Sequence, residues 1–540
     1  MGANKKIGEM LVAEGIIGED VARRVLEEQK RIPVRFGALL VNSHLVSEGD
    51  IARALSRQYG LEYVDVNKMS IVSEALLAIP EEMAKRHLIL PVRIENKTLV
   101  AVISDPLNIE GVQEMEFSCG MKIRPLIGDQ RAVTEAITYH YKYDASVENI
   151  TDFFPSAVNI PDIEKGEQSA PIIKLVNLLL TEAVENRASD IHIEPSKDFV
   201  VVRFRIDGVL MERTRLSPWV QGPITSRIKI LARLNIAEKR LPQDGGFRSR
   251  IAGRDIDMRV STLPVSVGEK TVIRILDQSH TTALLEDLGL SEKDYARMQT
   301  LIQRKKGIIL VTGPTGSGKT TTLYAMINRI RSGMINIVTV EDPVEYNIQG
   351  INQVQVRSDI GLTFARCLRS ILRQDPDVIL IGEIRDEETA EIAFRAAMTG
   401  HLVLSTLHTN DAVSTITRLV DIGIPRYIIA STVIGILSQR LVRRLCPACK
   451  KTGEDNSYLP QGCYLCNRTG YHGRVGVFEV FTITPGIRET IVSGGQEGAI
   501  KDAAAGQGID NLLDDAFDKV KKGVTTPEEI YRVVEAIKES

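Results

Sequence analysis

The residues Gly313-Pro314-Thr315-Gly316-Ser317-Gly318-Lys319-Thr320 limit the possible folds of this chain more than any other stretch. They fit G-x-x-x-x-G-K-[ST], the pattern of a loop that cradles phosphate. Gly307-Ile308-Ile309-Leu310-Val311-Thr312 runs into the loop and reads as a buried strand. Thr321 to Ile330 leaves it and reads as a helix. In a strand–loop–helix of this kind the glycines let backbone N–H groups turn inward onto phosphate oxygens, and the helix N-terminus adds its positive dipole end. Lys319 is suited to reach the β- and γ-phosphates, and the Thr320 hydroxyl to ligate Mg²⁺. The chain is therefore expected to bind a nucleoside triphosphate. What hydrolysis drives must be read from the rest of the sequence.

A chain of 540 residues has room for about three or four domains. Its apolar content of 43% and charged content of 25% suit a folded globular protein rather than a disordered one. The net charge of −3 supplies no strong field toward nucleic acid or anionic lipid. No uninterrupted apolar run nears the ~20 residues that span a bilayer. Met1-Gly2-Ala3-Asn4-Lys5-Lys6 carries basic residues with no apolar stretch after them, so no secretory signal is expected. A cytosolic protein is the expectation, able to reach a membrane through a partner. Four of the six cysteines, Cys446, Cys449, Cys463 and Cys466, form two C-x-x-C pairs. In a reducing cytosol that spacing reads as metal binding rather than disulfides.

The chain opens with a repeat. Residues 6–29 and 35–58 are 24-residue units that begin basic–apolar–Gly and end in Gln, with residues 30–34 between them. Val21 and Val25 in the first, and Ile51 and Leu55 in the second, recur at helical spacing, which predicts two paired helical hairpins. From about Val64 to Tyr141 the pattern suggests a small α/β module, with Glu95-Asn96-Lys97 turning a hairpin between two apolar runs. Asp144 to Gln168 has no periodicity and reads as a linker. Ala170 to Asp277 reads as a second α/β unit, with a strand near 199–206 and a basic helix over Ser226 to Leu241. Beyond about Leu285, strands alternate with helices, which favours a parallel sheet of doubly wound type.

Several clusters suggest chemistry. Ile337–Val340 ends in Glu341, and Asp377–Ile381 ends in Gly382-Glu383. Acids at strand ends beside a phosphate loop can hold Mg²⁺ or its waters and orient the attacking water. A third strand, His401–Thr406, ends in Leu407-His408-Thr409-Asn410, which could contact the terminal phosphate or merely cap the next helix. Asp190, His192 and Glu194 alternate with Ile191 and Ile193, so all three share one strand face. A solvated or salt-bridged face is expected there ahead of a metal triad. The four cysteines satisfy tetrahedral zinc with no open position, which makes the site structural and its binding energy folding energy. Arg227, Lys229, Arg233, Lys239 and Arg240 lack interleaved aromatics for base stacking, so a solvated or subunit-contacting face is expected and no direct nucleic-acid contact.

Taken together, these residues resemble the assembly ATPases of bacterial type II secretion and type IV pilus machines. The resemblance runs over nearly the whole chain. It is carried by Ser189-Asp190-Ile191-His192-Ile193-Glu194-Pro195, Arg205-Ile206-Asp207-Gly208 and Arg240-Leu241-Pro242-Gln243-Asp244-Gly245. Glu341-Asp342-Pro343-Val344-Glu345 resembles that family's Asp box. Leu372–Asp377 through Gly382–Asp386 resembles its Walker B, and Thr399-Gly400-His401 to Thr409 its His box.

The resemblance implies a RecA-like P-loop core over residues 283–540, with a zinc-pinned loop at 446–466. A small PAS-like α/β domain at 169–282, a linker at 143–168 and an N-terminal helical plus α/β module at 1–142 would precede it. It implies that Glu341 and Glu383 handle Mg²⁺ and the attacking water, without saying which does which, and that His408 sits near the γ-phosphate. Arg259 and Arg274 match the family's arginine fingers, which can be worth 10³–10⁵ in rate. ATP, Mg²⁺ and Zn²⁺ are the implied cofactors. The implied partners are five further copies of the chain in a ring, and the inner-membrane platform and cytoplasmic-anchor proteins of the machine. The ring would be cytoplasmic and peripheral to the inner membrane. Retraction motors of this kind typically lack the tetracysteine loop, which favours assembly; a DNA-uptake or conjugative DNA-translocation ATPase is the alternative. The N-terminal repeat resembles a cyclic di-GMP-binding module, with two departures: Lys6 replaces an arginine and His44 a glycine.

Overall fold

The computed structural model of the chain describes residues 7–29, 34–43, 45–69, 71–142, 170–277, 284–453 and 457–538. Lys6, spacer residues 30–33, His44 and the segment 143–168 lie outside the described residues.

The repeat folds as the spacing predicts, into α1 (Ile7–Ala13), α2 (Glu19–Gln29), α3 (Phe36–Asn42) and α4 (Glu48–Tyr59). The duplicated glycines have a packing reason. A Cβ on Gly8 would meet the Phe36 ring at 3.1 Å, and one on Gly37 would meet Ile51 at 3.2 Å. Without those side chains the hairpins close around Leu11, Val25, Leu40 and Ala54.

Next come α5 (Ser73–Leu77), α6 (Glu81–His87), β1 (Ile89–Glu95), β2 (Thr98–Ile103), α7 (Ile109–Cys119), β3 (Lys122–Ile127) and α8 (Gln130–Lys142). β1 and β2 are the expected hairpin, turning at Asn96 and Lys97, both with positive φ. That handedness matches the twist of the strands it joins. β3 lies parallel to β2, and Val133, Ala136 and Ile137 of α8 are buried in the module's core.

The second unit is α9 (Ala170–Glu185) and α10 (Gln221–Leu231) on a six-stranded antiparallel sheet of order β6-β5-β4-β9-β8-β7. These strands are β4 (Ala188–Pro195), β5 (Val200–Ile206), β6 (Val209–Leu216), β7 (Gln243–Ile251), β8 (Arg254–Val265) and β9 (Gly268–Asp277). One face packs Ile191, Ile193, Phe204, Met258 and Ile273 into the core with Leu175 and Leu179 of α9. The other face carries Asp190, His192 and Glu194, as period two requires.

The basic helix differs from expectation. It runs from Gln221 to Leu231, not from Ser226 to Leu241, because Pro223 is tolerated in a first turn and Arg233 takes a left-handed conformation (φ 57°) that ends it. Nor is its charge all outward. Lys229 is 1% exposed and bonds Glu269 at 2.6 Å and the Glu238 carbonyl at 2.8 Å. Its role is internal, since a buried ammonium needs partners on this scale.

The remainder is built on a seven-stranded sheet of order β12-β11-β13-β14-β10-β15-β18. Its strands are β10 (Gly307–Thr312), β11 (Ile337–Glu341), β12 (Asn352–Gln355), β13 (Val378–Ile381), β14 (Leu402–Leu407), β15 (Val433–Leu445) and β18 (Tyr471–Thr482). A short ribbon, β16 (Lys451–Thr452) with β17 (Tyr458–Leu459), lies between the last two. The first six are parallel, and only β18 runs antiparallel, against β15. Both faces are covered. Ile308 and Leu310 point into one core and Ile309 and Val311 into the other, which is why β10 is apolar throughout. Among the described residues, no helix is long and apolar enough to cross a membrane.

Candidate functional site

The phosphate loop leaves the C-terminal end of β10 and enters α11 (Lys319–Ile330). Gly316 and Gly318 have φ of 80° and 88°, the left-handed region that glycine enters without cost. Pro314, Thr315, Gly316 and Thr320 are exposed, while Gly313 and Ser317 are buried. The loop therefore offers its tip and the head of α11 to solvent. Lys319 folds back, its Nζ donating to the carbonyls of Gly313 at 2.8 Å and Pro314 at 3.1 Å. Burial pushes its ammonium down to about 8, against the opposing pull of Glu383. An incoming phosphate would stabilise the charge that burial penalises.

Glu341 ends β11 and is 3% exposed. Tyr324 donates its phenolic hydrogen to Oε2; Thr339 donates to Oε1 at 2.5 Å and Gln353 at 3.2 Å. Tyr324 lies four residues after Thr320 on α11, so the two share one helix face. Glu383 follows β13 and Gly382, whose amide donates to Val340 at 2.8 Å, bringing the two acid-bearing strand ends together. Arg385 donates to Glu383, and His408 Nε2 lies 3.5 Å from it. Burial, and then Lys319, push the His408 imidazolium below its ordinary value. The shift favours the neutral imidazole, which offers one hydrogen-bond donor and one acceptor at this strand end. Thr406 donates to the Gly382 carbonyl at 2.7 Å, and Thr312 to the Thr409 carbonyl at 3.1 Å. The three strand ends are bolted together by these side chains.

Sequence reasoning missed the floor of the loop. Gln439 accepts from Thr322 of α11 at 2.6 Å, and Arg440 donates to Asn410 at 2.8 Å and to the Gln439 carbonyl at 3.0 Å. A Cβ on Gly313 would strike the Gln439 carbonyl at 2.5 Å, so the loop rests directly on β15. The signal was present as the polar run Ser438-Gln439-Arg440 between the apolar stretches Val433–Leu437 and Leu441-Val442 of one strand. For Tyr324 the signal was its helical spacing from Thr320.

Arg259 and Arg274 do not enter this cluster. They are register partners across β8 and β9, and Asp190 is the partner of Arg274 across β4. Arg274 bonds Asp190 at 3.1 Å, and Arg259 reaches Glu345, beyond the Glu341 strand end, at 3.7 Å. Both line an open groove of about 350 Å³. Glu194 is paired with Arg203 and with Lys270 at 2.8 Å, and His192 lies 3.7 Å from it. The polar face of β4 is the expected salt-bridged one.

The four cysteines converge at the far end of β15 and β18. All four Sγ atoms lie within 4.8 Å of one another, and Cys446, Cys463 and Cys466 are buried. The separations Cys446–Cys463 3.8 Å, Cys449–Cys466 3.8 Å and Cys463–Cys466 3.7 Å match the roughly 3.8 Å edge of a tetrahedron with ~2.3 Å Zn–S bonds. Bonds from Cys463, from its thiol and its amide, and from the Gly470 amide hold the Cys466 thiol well below the usual thiol range. N–H groups aimed at sulfur stabilise thiolate, the form that binds metal.

Fold and site together define a P-loop nucleoside triphosphatase with a RecA-like sheet. The chain belongs to the type II/IV secretion system protein family, whose profile matches residues 165–532, and is an ATPase of that family. An MshEN domain matches residues 59–147. The chain is 41% identical over 554 aligned residues to the type IV pilus assembly ATPase PilB of Myxococcus xanthus, covering 97% of this chain and 98% of that protein. It is 50% identical over 390 residues to the type II secretion system protein HxcR of Pseudomonas aeruginosa, covering 72% and 82%. The Legionella pneumophila ATPase DotB superposes with a TM-score of 0.52 at 23% identity, covering 67% of this chain and 95% of that one, a likeness of fold.

Proposed function

We propose that this ATPase works as a ring-forming motor, most simply a homohexamer, that drives assembly of a pilin-like fibre, a type II secretion pseudopilus or a type IV pilus. The observation that carries the reading is the gathering of Lys319, Glu341, Glu383 and His408 at one end of a parallel sheet, with Arg259 approaching from the preceding domain. In this reading the loop 313–320 holds ATP and Thr320 helps hold Mg²⁺, which supplies charge neutralisation at the phosphates. Glu383, flanked by Arg385 and His408 and less buried than Glu341, orients the water. Glu341, held by Tyr324, faces the metal side. Arg259 and Arg274 sit on an open groove and offset the charge that develops on the transferred phosphate.

Because those arginines belong to residues 169–282 and the loop to 283–540, hydrolysis would change the angle between the two parts. The ring would turn an inner-membrane platform and hold an anchor protein at the cytoplasmic face. The cysteine cluster takes one structural Zn²⁺. The repeat in residues 1–142 takes cyclic di-GMP, a reading supported by its motif and by the MshEN match beside it.

Phosphate release by the parent and by Lys319→Ala tests the core of this. A drop of at least ~100-fold is expected; equal rates would remove the catalytic assignment of the loop. Titrating cyclic di-GMP into the full chain tests the regulatory part, and no heat and no shift would retire it.

A further inference from the structure

The cysteine loop does more in this structure than close on itself. Tyr464, inside the second C-x-x-C, is 6% exposed, yet it joins no hydrophobic core of the ATPase part. Its ring belongs to the hydrophobic core of the N-terminal module, among Val66, Val133 and Ile137. Its hydroxyl donates to the Val66 carbonyl at 3.3 Å and lies 3.2 Å from His140 Nε2. The rings of Tyr139 and His140 stand 5.6 Å and 5.4 Å from it. Arg468, two residues past the last cysteine, covers the outer face of the ring at 5.1 Å and donates to the Met69 carbonyl at 3.0 Å.

The same loop also grips the second unit. Asn467 donates to Asn186 at 3.0 Å, and beside the loop, at the start of β18, the Gly473 amide donates to Asp207 at 2.8 Å. Arg213 of β6 stacks over Tyr139 at 5.0 Å and pairs with the buried Glu182. Three parts of the chain therefore meet at one short loop. The cluster that the loop buries for itself consists of its four cysteines, so without a metal it has little of its own to keep Tyr464 in place.

We propose that the tetracysteine loop is a docking surface for the chain's own N-terminal module. Tyr464 is the wedge that enters that module, and metal at the cysteines is what keeps the wedge rigid. The choice of occupant rests on the buried seat of Tyr464 in residues 64–142 and on bonds to Val66, Met69 and His140. The inference rests on the zinc reading of the cluster, and it adds a route. A change of shape in the N-terminal module pushes on Tyr464, and hence on the ends of β15 and β18. β15 carries Gln439 and Arg440, on which the phosphate loop lies. The metal site then joins the ligand-sensing end of the chain to the motor, rather than serving only local stability.

The test is hydrogen exchange on the full chain, with zinc content measured in parallel. In Tyr464→Ala that retains one zinc per chain, amides of α8 and of residues 64–69 should exchange roughly tenfold faster, given the worth of several lost ring contacts. Stripping zinc from the parent with a chelator should reproduce that change in α8, and should add little to it in Tyr464→Ala. Unchanged exchange in α8 for the zinc-loaded variant would overturn the proposal. So would chelation that frees residues 446–470 while α8 stays protected. If Tyr464→Ala loses its zinc, His140→Ala decides from the other side without altering the loop. Faster exchange across 463–469 supports docking, and unchanged exchange there defeats it. A parent that carries no zinc at all contradicts the zinc reading instead, and metal analysis separates that failure from the others.

Discussion

The phosphate loop and the cysteine loop leave neighbouring strands of one sheet and solve opposite problems. The first follows β10 and is shaped by backbone: glycines in left-handed conformations, an exposed tip, a lysine folded onto its own carbonyls. The second follows β15 and is shaped by side chains: four sulfurs drawn inward, with no position left open. A site that must admit and release a ligand many times keeps its donors in the main chain, where they are always present and need little rearrangement. A site that must never open uses strong side-chain ligands and lets metal binding serve as folding energy. The contrast also explains the chemistry nearby. The open loop is ringed by ionisable groups whose protons are set by burial, Lys319 and His408 among them. The closed loop is ringed by aromatic and amide groups that hold other parts of the chain.

Four substitutions separate the two loops experimentally. Cys463→Ser should have the largest effect. The account expects zinc to be lost and residues 446–470 to lose their exchange protection together, while ATP binding at the phosphate loop stays within about threefold. A loop that stays protected without metal would show that packing alone holds it. Lys319→Ala should cut turnover at least ~100-fold while leaving one zinc per chain, a result read from phosphate release and metal content. Tyr324→Phe keeps the buried ring and deletes only the bond to Glu341. We expect kcat to fall roughly tenfold with KM for ATP within about twofold, because a bond to a charged group is lost where catalysis needs it. Equal losses in kcat and 1/KM would instead mark a packing role.

The smallest effect concerns Glu479, buried on β18 beneath this region, which burial and then Asp411 push up to about 7. Its folded value lies above the ordinary 4.5, so the folded chain keeps a proton that the unfolded chain releases. Stability is therefore unpenalised below about pH 4.5 and falls as pH rises toward 7. Glu479→Gln should melt higher than the parent by a few degrees at pH 8 and by little at pH 5; a difference independent of pH would refute the assignment.

Much of this was legible in the sequence, and the reason is local. The strand before the loop, the acids at strand ends, the hairpin at Asn96-Lys97 and the paired cysteines all declare themselves within a few residues. What stayed hidden depends on distant partners. Lys229 reads as a surface charge in the sequence, and only Glu269, forty residues on, makes it an internal one. Gln439 and Arg440 carry no motif that announces the underside of a loop more than a hundred residues earlier. The antiparallel arm of β15 and β18, which delivers the cysteines, was concealed by the alternating pattern before it. Arg259 and Arg274 were placed by resemblance, and their meeting with Asp190 and Glu345 depends on sheet register and domain contact.

In the motor proposed above, cleavage of ATP on the loop re-angles the domain that carries Arg259 and Arg274. Its most direct test is a distance measured between bio-orthogonal spin labels at exposed Arg250 of β7 and exposed Lys305 just before β10, in the assembled protein with Mg²⁺. The account predicts distinct distance distributions for the empty, ATP-bound and ADP-bound forms of the parent, and one unchanging distribution for Lys319→Ala. A parent that gives the same distribution in all three states would contradict it.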